Sequence, residues 1–131
     1  MPKPSGDITK KRESLMTMVA DMAKSPSKFS EVMLGHKLFK YNAAYADSKE
    51  RFIVYRSGRQ AGKTMTTAVK AIHWSFFAPI LSKDAREKKE AVIIIAAPTQ
   101  NQASIMFDRI RTLIKNSAFL SNYVVRSTQT E

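Results

Sequence analysis

Eight consecutive residues, Ser57-Gly58-Arg59-Gln60-Ala61-Gly62-Lys63-Thr64, combine the residue types that phosphate chemistry uses. Small residues let a backbone curl so that successive N–H groups point at one anion, and a helix opening at the end of the curl adds a partial positive charge. The phosphate-loop pattern is a glycine, four residues, then Gly-Lys-Ser/Thr. Gly62-Lys63-Thr64 keeps the end of that pattern, while Ser57 takes the leading position and glycine falls one place later, at Gly58. In this arrangement Lys63 is expected to reach the β- and γ-phosphate oxygens of ATP, and the Thr64 hydroxyl to ligate Mg²⁺. Other site chemistry is scarce. There are no cysteines, which excludes disulfide scaffolds, thiolate zinc sites, iron–sulfur clusters and cysteine nucleophiles. The two histidines, His36 and His73, have no neighbouring ligand at metal-site spacing.

Gly-Lys-Thr arises by chance in many chains, so its meaning depends on the elements that position it. Phe52-Ile53-Val54-Tyr55, just before the loop, is a continuous apolar, partly β-branched run, the pattern of a strand buried on both faces. From Lys63 to Phe77, residues Met65, Ala68, Val69, Ile72 and Phe76 recur at helical spacing, with Pro79 as the expected stop. Ser82 to Glu90 reads as a solvated connection. Ala91 to Ala96 is a second apolar strand ended by Pro98, and Gln100 to Asn116 is an amphipathic helix carrying Ala103, Met106, Phe107, Ile110, Leu113 and Ile114. Tyr123-Val124-Val125 begins a third strand.

Strand, helix, strand, helix predicts an α/β fold: a P-loop NTPase core with a parallel sheet, present as a partial βαβα unit. Short N-terminal helices precede it, at about Glu13 to Lys24, around Phe29 to Met33 ending at Gly35, and around Asn42 to Ala46. Residues 1–12 read as a disordered basic tail closing on Lys10-Lys11-Arg12, and 13–131 as the N-terminal part of a P-loop ATPase domain. Two or three strands do not complete a sheet covered on both faces, so the chain is expected to be a piece of something longer.

Twenty-two Lys and Arg against eleven Asp and Glu give a net charge of +11 in 131 residues. That excess favours a polyanionic partner, because each cation beside a phosphate releases condensed counterions. Lys83, Arg86, Lys88 and Lys89 are the local candidates for contact with a DNA backbone, although a solvated charged loop explains them as well. The longest apolar run, Ala91 to Ala97, falls far short of the ~20 residues of a membrane helix, and the polar N-terminus has no signal-peptide core. A protein that stays inside the cell, in the cytoplasm and away from membranes, is the expectation.

The loop with an arginine inside it, Ser57-Gly58-Arg59 followed by Gly62-Lys63-Thr64, resembles the deviant Walker A of the large terminase subunit, the DNA-packaging ATPase of tailed viruses. Ala96-Ala97-Pro98-Thr99 with Gln100-Asn101-Gln102-Ala103 resembles a motif which that family shares with superfamily 2 helicases. Leu38-Phe39-Lys40-Tyr41-Asn42 resembles the adenine-recognition segment, usually Tyr-Gln, with Asn42 reaching one methylene less far. Together these cover roughly residues 29 to 120. The resemblance implies ATP and Mg²⁺ as cofactors and double-stranded DNA as the translocated partner. It also implies a portal protein, a small terminase subunit and homo-oligomeric neighbours in the intact motor, within the host cytoplasm. By the same resemblance Arg59 stabilises charge on the transferring phosphoryl group, or else holds ground-state phosphate, and Tyr41 and Asn42 face adenine.

No apolar strand ending in Asp-Glu follows Pro98, so the acidic pair that holds metal and activates water is not visible, and slow turnover by these residues alone is expected. A helicase-like DNA-translocating ATPase and a non-enzymatic basic nucleic-acid-binding fragment are the alternative readings. Further helicase motifs would favour the first, and nucleotide binding that depends on Lys63 would argue against the second.

Overall fold

The computed structural model describes residues 6–81 and 91–124. Five α-helices and one 3₁₀ turn make up its regular structure: α1 (Gly6–Lys24), α2 (Pro26–Met33), α3 (Lys40–Asp47), α4 (Lys63–Leu81), α5 (Gln100–Asn116) and the turn Leu120–Tyr123. Helix α4 is central, contacting α2, α3 and α5, while α1 packs on α2.

The parallel sheet expected from the sequence is not formed. Among the described residues there is no strand: 53–58 and 91–97 carry no regular secondary structure, and Leu120–Tyr123 turns as a 3₁₀ helix where a third strand was expected to begin. The βαβα reading is corrected to an all-helical arrangement. A helix satisfies its N–H and C=O groups within one segment, whereas a strand needs a neighbour about 4.8 Å away. Neither apolar run has such a neighbour. Most of their side chains stay at the surface, Val54 at 87% and Ile94 at 86% exposure, while Tyr55 and Ile95 are half-buried.

Helix periodicity carries over better. Ala68, Val69, Ile72 and Phe77 of α4 bury themselves with Met22 of α1, Phe29 of α2, Leu113 of α5 and Leu120. Phe29 is the hub, with 0% exposure. Its ring lies 5.4 Å from His73 and 5.7 Å from Phe77, both edge-on, the geometry that aromatic quadrupoles favour. His73 donates from Nε2 to the Met22 carbonyl at 2.9 Å. Burial lowers the His73 pKa, and its backbone hydrogen bonds oppose that shift only in part.

Boundaries differ from the sequence reading in two places. Helix α1 begins at Gly6 rather than near Glu13, so Lys10, Lys11 and Arg12 lie on an exposed helix. Helix α4 passes through Pro79 to Leu81. Proline removes one donor there, and so near the helix end this leaves a single carbonyl to satisfy elsewhere.

Local signals fix the remaining ends. Ser25 caps α2 by accepting from the Lys28 N–H, and Pro26 occupies the first turn, where its missing donor costs nothing. Asp47, at the end of α3, accepts from the Ser27 N–H at 2.9 Å and from the Ser27 and Ser25 hydroxyls at 2.6 and 3.2 Å. A carboxylate at a helix N-terminus also complements the helix dipole, so this contact locks α3 against α2.

Candidate functional site

The loop that leads from Ser57 into α4 is a tight curl. Gln60 and Gly62 both have left-handed backbones, at φ 59° and 80°. For Gln60 that conformation costs about 1–2 kcal/mol, strain of the kind that collects at ligand-binding loops. Glycine is required at position 62 for a second reason: a Cβ there would sit 2.8 Å from the Asn42 amide nitrogen. At Gly58 a Cβ would meet nothing within 4 Å, so the chain is open on that flank.

Lys63, the first residue of α4, folds its side chain back across the curl. Its ammonium donates to the Ser57 carbonyl and to the Gly58 carbonyl, the latter at 2.8 Å. Thr64 is half-buried in the first turn of α4, beside Met65. Thr66 closes that turn, donating to the Gly62 carbonyl at 2.9 Å from its N–H and at 2.8 Å from its hydroxyl. The first turn of α4 carries no acidic residue, so nothing in it offsets the positive end of the helix. The Ser57 hydroxyl is buried without a hydrogen-bond partner among the described residues. Outside the curl, Arg59, Gln60, Ala61, Gly62, Lys63, Thr64 and Met65 line a cavity of about 430 Å³, and Arg109 of α5 completes its wall.

Beneath the curl, Asn42 acts as a clasp. It is 2% exposed, donates from Nδ2 to the Ala61 carbonyl at 3.0 Å, and accepts the Tyr55 hydroxyl at Oδ1. Each end of the amide is therefore engaged within the chain, one by the loop and one by the segment ahead of it. Tyr41, its neighbour, points outward at 54% exposure and stacks on Phe39 with centroids 5.8 Å apart.

The clasp is itself anchored. Tyr55 stacks on Tyr45 with centroids 4.2 Å apart, and the Tyr45 hydroxyl meets the Thr67 hydroxyl at 3.3 Å. Lys70 of α4 donates to the carbonyls of Tyr45, Ala46 and Ser48 at 3.2, 2.8 and 2.7 Å, capping the C-terminal end of α3. Burial lowers the Lys70 pKa, and Asp47 draws it partly back.

The structure thus brings the Ser57 to Thr64 loop and Asn42 together, and leaves Tyr41 exposed against Phe39, outside the lining of the cavity. Lys83, Arg86, Lys88 and Lys89 lie outside the described residues. Sequence reasoning missed Tyr55 and Arg109. Tyr55 stands two residues before the loop and was absorbed into an apolar run, and Arg109 lies on the polar side of an amphipathic helix, where periodicity assigns no role.

The donor set fits one kind of metal. Among the described residues no group of three or more His, Asp or Glu side chains is placed to hold an ion. Magnesium needs no such cage when phosphate oxygens and water fill most of its shell, and Thr64 is among the residues that line the cavity. No helix among the described residues is long and apolar enough to cross a membrane. No family model, curated protein or solved structure matches the chain.

Proposed function

We propose that this chain binds Mg-ATP at the Ser57–Thr64 loop and is the nucleotide-binding portion of a DNA-packaging ATPase of the large-terminase type. The observation that carries the nucleotide reading is the Lys63 ammonium folded over the curl, on the Ser57 and Gly58 carbonyls, at an α4 N-terminus without an acidic residue. An incoming triphosphate offers charged oxygens in place of those neutral carbonyls, so the ammonium gains an ion-pair partner in the exchange. The N–H groups of Lys63, Thr64 and Met65, ahead of the Thr66 N–H that closes the first turn on Gly62, take further phosphate oxygens. Thr64 would hold a magnesium ion at this site, and the ion would supply neutralisation of the phosphate charge.

The packaging-motor part rests on the resemblance of Arg59 within the loop and of Ala96-Ala97-Pro98-Thr99 ahead of α5. Thr99 caps α5, accepting from the Gln102 N–H at 3.3 Å, and α5 in turn supplies Arg109 to the cavity wall. The motif therefore starts a helix that borders the phosphate loop. Double-stranded DNA is the proposed translocated partner, in keeping with the +11 charge.

Calorimetric titration with Mg-ATP tests the site. Lys63→Ala removes a contact worth about 1.5–3 kcal/mol and is expected to weaken binding tenfold or more. Unchanged affinity in a folded Lys63→Ala protein would remove the assignment.

A further inference from the structure

Two cations of the phosphate cavity, Arg59 and Lys63, belong to the loop and the start of α4, whereas Arg109 comes from the middle of α5. Helix α5 is fixed against α4 by Met106, Ile110, Leu113 and Ile114, all buried or packed against the core cluster. Arg109 is one residue before Ile110, so the packing that seats Ile110 also sets where Arg109 emerges. Among the described residues the sole ion pair is Asp21 with Lys28, so no carboxylate there neutralises Arg109. Three cations border one cavity, from the loop, the start of α4 and the middle of α5, and the lining includes no acidic side chain. Such a concentration of like charge is stabilised by an anion that reaches both walls.

We infer that Arg109 is a phosphate-binding residue that makes the site select nucleoside triphosphate over diphosphate. The inference rests on the phosphate-loop reading above and adds the opposite wall to it. The curl and Lys63 serve the phosphates nearest the α4 N-terminus. A guanidinium on a separate helix meets the part of the chain that extends past the loop, and its fork matches two phosphate oxygens at once. A diphosphate is one phosphoryl group shorter and leaves Arg109 without that partner.

The test compares Arg109→Gln, Arg109→Lys and Lys63→Ala with the unaltered chain. Each is titrated with magnesium and either ADP or the β,γ-imido analogue of ATP, which is not hydrolysed. Arg109 is exposed, so its replacement leaves the core intact, and far-ultraviolet circular dichroism checks this. For Arg109→Gln, affinity for the triphosphate analogue is expected to fall about tenfold. ADP affinity is expected to stay within about twofold, because that ligand makes no charge-assisted contact with Arg109. Arg109→Lys is expected to lie between, since an ammonium keeps the charge without the fork. Lys63→Ala is expected to weaken both ligands. Equal losses for the two nucleotides in Arg109→Gln, or no loss for either, would overturn the assignment of Arg109. If Lys63→Ala still weakens both in that case, the phosphate-loop reading stands alone. If the unaltered chain binds neither nucleotide, both readings fall.

Discussion

The helical cluster around Phe29 and the two segments without regular secondary structure, at 52–55 and 91–97, are built from similarly apolar residues and end in opposite environments. Phe29, Val69 and Ala68 have no exposed surface, whereas Phe52, Val54, Val92 and Ile94 are each at least 70% exposed. Around the second segment the packing is open. Ile93 borders a cavity of about 660 Å³ next to α3 and α4, and Ile93 and Ile95 border another of about 360 Å³ beside α4 and α5. The contrast shows what apolar composition settles and what it leaves open. A helix brings its own hydrogen bonds, so an apolar stripe suffices to dock it. An extended segment gains a fixed place only when a neighbour takes its backbone donors and acceptors.

Substitutions sharpen the comparison. Phe29→Ala leaves a hole under three aromatic rings and is expected to cost about 3–5 kcal/mol, read as the shift in denaturant midpoint. Loss below about 1 kcal/mol would mean that the cluster does not carry the fold.

Asn42→Ala stands at the junction of the two regions, because Asn42 ties α3 to the loop that follows the 52–55 segment. It strands the Ala61 carbonyl and the Tyr55 hydroxyl, with an expected stability loss of about 1–3 kcal/mol. Mg-ATP affinity is expected to fall in parallel, as the curl loses its clasp. Full affinity in a folded Asn42→Ala protein would show that the loop keeps its shape unaided.

Ile94→Thr probes the open region. At a site exposed to 86%, the change in stability is expected to stay within about 0.5 kcal/mol. A loss comparable with that of Phe29→Ala would reveal burial of this segment and break the contrast between the two regions.

The same contrast explains which features were legible in the sequence. Helix α5 runs from Gln100 to Asn116 as its periodicity indicates, and the α4 face of Ala68, Val69 and Ile72 is buried as expected. Those patterns depend only on local spacing. Phe52 to Tyr55 and Ala91 to Ala96 read as strands because their side chains suit a doubly covered sheet, yet pairing is a nonlocal property that no single run encodes. The Ser57 to Thr64 loop stands out in the sequence because Gly62-Lys63-Thr64 is contiguous, and the structure folds it as a tight curl. The clasp does not stand out, because the contact of Asn42 with Ala61 and Tyr55 depends on how α3 meets the loop. Arg109 likewise becomes visible only once α5 is laid against α4.

Hydrogen–deuterium exchange with and without Mg-ATP tests the central claim most directly, because it reports both whether nucleotide binds and where. The expected result is slower exchange of the backbone amides from Gly58 through Met65, with α1 unchanged. Protection confined to other segments, or no difference at saturating Mg-ATP, would contradict nucleotide binding at this loop.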